Sequence, residues 1–312
     1  MRLRDDLDLL EASVSRAAEQ TGIPIQQIRK DFWLTEALRG VVAHANSRSA
    51  RVVFKGGTSL SKVFRVIERF SEDVDILVIG AGSKAAINTA MKGLIAAAEQ
   101  HIGVSGVLNL KTVDAGVFRE VRIVYPGCRP PDAGLLLEVG ARGGAIPNAE
   151  HDVTSIVAPL AVEMLGEDVE EAEPFAVHVL APSRTLAEKL VIVHEAHHRT
   201  HGPGREQRIA KTARHYYDIW CLLGDPNVRA EIAEHGAGIL AREICQHSKA
   251  IGLPAVTYPA GGFGASPAFE PKSTVDQRKA YATNVPQLLW PTATLPTFAE
   301  CLERVAEYRE IL

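Results

Sequence analysis

The sequence predicts an α/β (α+β) protein of two lobes, a mixed sheet of about five strands with helices followed by a mainly helical C-terminal lobe. Short apolar or alternating runs recur through the first half, at 52–54, 74–79, 106–113, 118–125 and 133–139, and read as strands. Before and between them lie stretches with apolar residues three and four apart, as helices require. The third observation is a change of character at 141–182, where Gly, Pro and the acids from Glu167 to Glu173 accumulate and beyond which the longer segments keep helical spacing. The 312 residues accommodate both lobes, divided as 1–160 and 161–312.

At 46% hydrophobic and 23% charged residues, the composition is that of an ordinary soluble chain. Arg2, Arg4, Asp5, Asp6 and Asp8 break any apolar leader, and no apolar run is long enough to span a bilayer. A membrane partner is therefore not expected, and the cytoplasm is the default location. Cys128, Cys221, Cys245 and Cys301 are widely spaced without a Cys-x-x-Cys pair, which argues against both a zinc ribbon and a disulfide framework. The net charge of −4 does not favour nucleic acid as a partner, yet residues 184–214 hold seven Lys or Arg against three Glu, a local basic patch.

In chain order, Leu7, Leu10, Val14 and Ala17 mark a helix over 5–20. Ile25, Ile28 and Phe32, then Leu34, Leu38 and Val41, mark a second over 24–45 that starts at Pro24 and shifts its apolar face after Phe32. Val52-Val53-Phe54-Lys55 is a strand, followed by a tight turn at Gly56-Gly57 that brings backbone close to any bound phosphate. Thr58 or Ser59 is expected to N-cap a helix over Leu60 to Glu68, leaving N–H groups and hydroxyls for an anion. In the next strand Asp73 and Asp75 lie two apart and so project from one face. Two hard carboxylates suit Mg²⁺, with substrate phosphates and water completing its shell.

Lys84 to His101 reads as a helix, and Glu138 stands inside the apolar strand Leu135-Leu136-Leu137-Glu138-Val139. A buried carboxylate needs a partner, so Glu138 is a candidate third metal ligand, with a salt bridge to Arg122 or Arg142 as the alternative. After a connecting region with a short strand at Ala176 to Leu180, a helix starts at Ser183 or Thr185 and carries Lys189. His194-Glu195-Ala196-His197-His198 fits the zinc-protease pattern His-Glu-x-x-His, but His201 stands where the extended pattern needs Gly, and a polar helix end is the preferred reading. Residues 202–208 suggest a basic loop, and 208–223 a helix with Lys211, Arg214, His215 and Asp218 at three and four spacing. Residues 227–251, 273–285 and 296–310 read as helices and 252–271 as a loop; Tyr258, Phe263 and Tyr281 read as packing residues.

The glycine pair, helix and Asp-x-Asp strand resemble the DNA polymerase beta type nucleotidyltransferase superfamily. The fuller string Phe54-Lys55-Gly56-Gly57-Thr58-Ser59-Leu60-Ser61-Lys62, with Arg69-Phe70-Ser71-Glu72-Asp73-Val74-Asp75, is similar to the AbiEii/MenT toxins of type IV toxin–antitoxin systems. So are Lys30-Asp31-Phe32-Trp33, Thr185-Leu186-Ala187-Glu188-Lys189-Leu190 and the Asp218 motif, although Arg214-His215 stand where many members have Lys-Asp. The resemblance covers roughly 28–223 and implies a bilobed nucleotidyltransferase fold. It implies transfer of a nucleoside monophosphate from an NTP, with Mg²⁺, or Mn²⁺ as the alternative ion, held by Asp73, Asp75 and Glu138. Gly56, Gly57, Thr58, Ser59, Lys62, Ser71 and Lys189 would bind the NTP, and Asp218 would orient Lys189 or Arg214, or act as a base. The implied acceptor is the 3′ end of tRNA, with Arg205, Arg208, Lys211 and Arg214 as RNA contacts and a cognate antitoxin as partner. The implied site is a cleft with the Asp73-Val74-Asp75 strand on one wall and the Lys189 and Asp218 helices on the other. A small-molecule nucleotidyltransferase and a non-catalytic nucleotide-binding module are the other classes.

Overall fold

Seven strands among the described residues form one mixed sheet in the order β3-β4-β5-β2-β1-β7-β6. They are β1 (Arg51–Lys55), β2 (Asp73–Ile79), β3 (Val107–Val113), β4 (Phe118–Ile123), β5 (Leu135–Gly140), β6 (Asn148–Val153) and β7 (Phe175–Leu180). The computed structural model describes residues 1–48, 50–71, 73–80, 82–103, 107–113, 117–128, 134–166, 168–198, 204–250 and 258–312. Ala81, Gly106, the 129–132 part of the turn expected at 126–132, Gly202 and Pro203 of the basic loop, and 252–257 of the loop expected at 252–271 lie outside them.

The central strand β2 is antiparallel to β1 and parallel to β5, which is in turn antiparallel to β4. The expectation of about five strands omits β6, because Asn148-Ala149-Glu150-His151-Asp152-Val153 is polar and half-exposed at the sheet edge and carries no apolar alternation. A helix at Ala158–Leu165 (α5) also falls inside the stretch read as a connector.

The chain forms two compact units. The first comprises 1–63, 72–141 and 148–179; the second comprises 64–71, 142–147 and 180–312. The division therefore falls near 179/180 rather than 160/161, because β7 pairs in parallel with β1 and completes the first unit's sheet. Two short segments from the first half join the second unit through backbone pairing. Phe70 N–H donates to Leu288 O at 2.8 Å, Trp290 N–H to Glu68 O at 3.0 Å, and Ala181 N–H to Pro147 O at 3.0 Å.

In the first unit, α1 (Leu7–Thr21) and α4 (Lys84–Ile102) pack on α2 (Ile25–Ser47). Every residue from Phe32 to Leu38 is buried, so α2 is covered all round at this level, which is why its apolar face shifts there. The approach to α4 is close at Gly40, where a Cβ would lie 2.6 Å from the His101 Cβ. Glu36, buried in the same turn, accepts from Arg4 (3.2 Å) and Arg39 (3.1 Å) and meets His101 Nε2 at 2.9 Å. Arg4 in turn pairs with buried Glu171 at 2.9 Å, so the N-terminal segment is fixed by a closed charge network.

In the second unit, α6 (Pro182–His198) packs on α7 (Arg205–Gly224), and α7 on α10 (Val275–Asn284) and α11 (Phe298–Glu307). The single helix expected over 227–251 is two, α8 (Pro226–His235) and α9 (Ala237–Ala250), broken at Gly236, whose φ of +78° a helix cannot continue. No helix of the described residues is long and apolar enough to cross a membrane.

Removing one member of a buried charge network leaves the others buried without their partner, at a cost of about 3–5 kcal/mol. Glu36→Ala should lower stability by that order in urea denaturation, and a loss below about 1 kcal/mol would show that Arg4 and Arg39 repair the gap.

Candidate active site

Strand alternation sends Val74 and Ile76 into the core and leaves Asp73 and Asp75 together on the other face. The sheet register then sets a polar row across four strands. Lys55 of β1 stands opposite Asp75, Asp75 opposite Glu138 of β5, and Glu138 opposite Glu120 of β4. Glu138 thus lies beside Asp75, as expected for a third acid, and shares a hydrogen bond with it. Glu120 is an acid that sequence reading passes over; its place in the Phe118 to Ile123 alternation, two before Arg122, is the signal that could have marked it.

Burial, then the charges of Asp75, Asp73 and Glu120, push the Glu138 carboxyl up to about 8. Burial is the larger cause, and the neighbouring carboxylates add to it because Asp73, Asp75, Glu120 and Glu138 bring four acids to one point of the sheet. The donor set therefore fits a hard divalent cation, with Asp73 and Asp75 as its carboxylates. Among the described residues no group of three or more His, Cys, Asp or Glu is arranged as a ready-made cage. Substrate and water oxygens would have to complete the shell, as is usual for Mg²⁺.

Gly56 is fixed by this cluster. Its φ is +82°, and a Cβ built there would lie 1.9 Å from Asp75 Oδ2, so any side chain would collide with the carboxylate. The helix that follows, α3 (Gly56–Lys62), starts at the glycine itself and lasts seven residues, not from Leu60 to Glu68. The chain turns into helix directly off β1, so Thr58 and Ser59 are inside it and neither is its N-cap. Thr58 Oγ1 donates to Asp73 O at 2.5 Å, Ser59 Oγ to Gly56 O at 3.0 Å, and both residues are buried. Lys62 Nζ donates to Asp31 Oδ1 at 2.6 Å and Thr154 O at 2.9 Å. Ser71, half-buried, ends the 64–71 segment of the second unit.

The second unit holds a different charge cluster. Asp218 of α7, fully buried, accepts from Arg69 through both oxygens, at 2.6 Å and 2.7 Å, and from Lys189 Nζ of α6 at 2.7 Å. Burial alone would raise its pKa, but Arg69 and Lys189 outweigh burial and hold the carboxyl well below the usual range. Of the two roles open to Asp218, orienting Lys189 fits this geometry and accepting a proton does not. Burial lowers the Lys189 ammonium's pKa, against the pull of Asp218. His215 Nδ1 lies 3.6 Å from Asp218, too far for a hydrogen bond, and burial with Lys189 nearby pushes the imidazole down to about 3, so it is neutral. Arg69 was legible only as part of a motif string; a charged residue inside the apolar Val66-Ile67…Phe70 run was the signal for a buried ion pair.

Of the basic stretch, Arg184 is buried, donating to Gly143 O and, at 2.6 Å, to Glu243, and Lys189 is bound to Asp218. Arg205 pairs with Asp276, Arg208 and Arg214 are half-buried, and Lys211 is exposed. Among the described residues the patch is thus thinner than the count of charges implies, and Arg199 lies outside them. In the His-Glu-x-x-His string His194 is buried, with Nδ1 2.7 Å from Ser266 Oγ, which makes it a packed helix residue. Arg142 pairs with Ser248 and Glu195, not with Glu138.

Two outcomes follow from these clusters. Glu138 is neutral in both folded and unfolded chains below about pH 4.5; above that only the unfolded chain releases the proton, so metal-free stability should fall as pH rises from about 4.5 to about 8 and then level off. Glu138→Gln should flatten that slope in pH-dependent denaturation; an unchanged slope would reject the assignment. Arg69→Met should cost about 3–5 kcal/mol, because Asp218 keeps its charge at 0% exposure with one partner fewer. A thermal melt close to that of the unmodified protein would show that Lys189 alone suffices.

A family model for the nucleotidyl transferase AbiEii toxin of type IV toxin–antitoxin systems matches residues 39–304. No curated protein sequence matches the chain. Among solved structures the chain is similar to the nucleotidyltransferase toxin MenT4 of Mycobacterium tuberculosis H37Rv. The identity is 18% and the TM-score 0.51, over 96% of this chain and 88% of that one. At that identity the likeness speaks for the fold, and the fold agrees with the family match. With more than half of its length matched, the chain belongs to the AbiEii family of type IV nucleotidyltransferase toxins.

Proposed function

We propose that this toxin transfers a nucleoside monophosphate from an NTP to the 3′ end of tRNA, with Mg²⁺, or Mn²⁺ as the alternative, as its cation, and thereby arrests translation and growth. The observation that carries the reading is the row of acids with Gly56 packed against Asp75. Asp73 and Asp75 would hold the cation, with Glu138 beside them. When bound, the cation would neutralise charge on the triphosphate and acidify the acceptor hydroxyl. The residues of the chain do the rest. Gly56, having no Cβ, lets the turn run hard against the Asp75 carboxylate, so that the backbone of the Gly56-Gly57 turn would meet phosphate oxygens beside the acids. Thr58 holds the α3 backbone to that of Asp73, so the turn and the acids keep one spacing. Lys189, oriented by Asp218, would serve the triphosphate as a point charge.

The tRNA acceptor rests on the family resemblance and on the cations of α7, among which Lys211 is exposed. Family membership implies an antitoxin partner, and a tRNA substrate places the reaction in the cytoplasm. The burial of Arg184 and Lys189 and the pairing of Arg205 favour keeping a second reading, transfer to a small-molecule hydroxyl, which needs no phosphate-backbone contacts.

The test is incubation with Mg²⁺, total tRNA and each labelled NTP in turn, with Asp73→Ala as control. Label on tRNA from one NTP, reduced at least about a hundredfold in the variant, is expected. Equal label with the variant, or label only on a small hydroxyl compound, would reject the tRNA reading.

A further inference from the structure

The family resemblance assigns Lys62 to the triphosphate and gives Asp31 no role beyond its place in the Lys30-Asp31-Phe32-Trp33 string. In the structure the two form a closed, largely buried ring. Lys62 Nζ donates to Asp31 Oδ1 (2.6 Å) and Thr154 O (2.9 Å), and Asp31 Oδ2 accepts from Ile156 N–H (2.7 Å). The side chains are 6% and 17% exposed. The ring joins the start of α2, the end of α3 and the turn between β6 and α5. Thr35 Oγ1, one turn on, donates to Asp31 O at 2.7 Å and stiffens that part of α2.

The other end of α3 has almost no freedom. Gly56 lies against Asp75, and Thr58 is bonded to Asp73 O. A seven-residue helix is a rod about 10 Å long that moves as one piece. A shift at Lys62 is therefore passed to Gly56, where the packing against Asp75 leaves no slack. We propose that Asp31 is a positioning residue for the glycine turn, acting through Lys62, and that Lys62 is a tether of α3 rather than a phosphate ligand. This rests on the reading of Gly56, Asp73 and Asp75 as the NTP and metal site. A misplacement on the order of 1 Å in such a site lowers turnover by up to about a hundredfold without removing a binding group.

The test compares Asp31→Asn, Lys62→Met and the double variant with the unmodified enzyme. It uses the NTP and acceptor that enzyme labels best and corrects for folded fraction by thermal melt. Each single variant should lower kcat about 10- to 100-fold with KM for the NTP within about twofold. The double variant should be no worse than the poorer single, since both act through one contact. In protein free of NTP and metal, amide hydrogen exchange over 56–62 should speed up by about tenfold in both. A raised KM in Lys62→Met, with Asp31→Asn unchanged in kinetics and exchange, would overturn the proposal and return Lys62 to the triphosphate. Should Lys62→Met fail to fold, Asp31→Asn, which keeps an acceptor for Ile156, carries the test alone. The exchange measurement needs no acceptor, so unchanged exchange rejects the tether whatever the substrate proves to be, and absent tRNA labelling rejects only the acceptor.

Discussion

The packing of the Asp75 carboxylate against the Cα of Gly56 is the constraint on which the centre of the first unit depends. The antiparallel register of β1 and β2 puts Lys55 opposite Asp75, so the next residue must leave the sheet past that carboxylate. Only a residue with positive φ and no Cβ can do so, and both requirements meet at one position. The turn is consequently so tight that α3 begins without a loop. That moves Thr58 from a capping position to one where its hydroxyl reaches the backbone of Asp73, and the glycine turn and the acidic strand become a single rigid object.

Much of this was legible because it depends on the period of two and on glycine. Asp73 and Asp75 share a face in any strand, and Glu138 is conspicuous as an acid in an apolar run. The start of α3 was not legible, since Thr58 and Ser59 have the chemistry of caps and only the register of β1 on β2 shows that the helix precedes them. β6 was hidden by its polarity, which suits an edge strand and mimics a loop. The exchange of 64–71 and 142–147 into the second unit has no local sequence signal. It arises from backbone pairs to residues far along the chain, such as Phe70 with Leu288, and from guanidinium groups whose partners lie over a hundred residues away. Ion pairs of that separation cannot be read from spacing.

The two charge clusters differ in their balance of charge. On the sheet, Asp73, Asp75, Glu138 and Glu120 crowd one region, and burial together with that crowding raises the Glu138 carboxyl to about 8. Such a cluster would be stabilised by an added cation, as the proposed function requires. Around Asp218 the balance is reversed. One carboxylate, fully buried, meets two cations through three short hydrogen bonds, and it has no need of a further ligand.

That reversal bears on what Lys189 can do. In a dry environment its ammonium is opposed by burial and by Arg69 and Arg214, and Asp218 is what makes its charge tolerable. Neutralising Asp218 would therefore leave Arg69 and Lys189 facing each other with no anion between them, a larger disturbance than removing Lys189, which leaves a complete Arg69–Asp218 bidentate pair. The carboxylate is consequently more than a helper that turns a lysine toward substrate. It is the charge that allows a buried lysine and a buried arginine, from segments about 120 residues apart in sequence, to share one point of the second unit, and that is sufficient physical reason for the acid of the Asp218 motif without assigning it a proton to move.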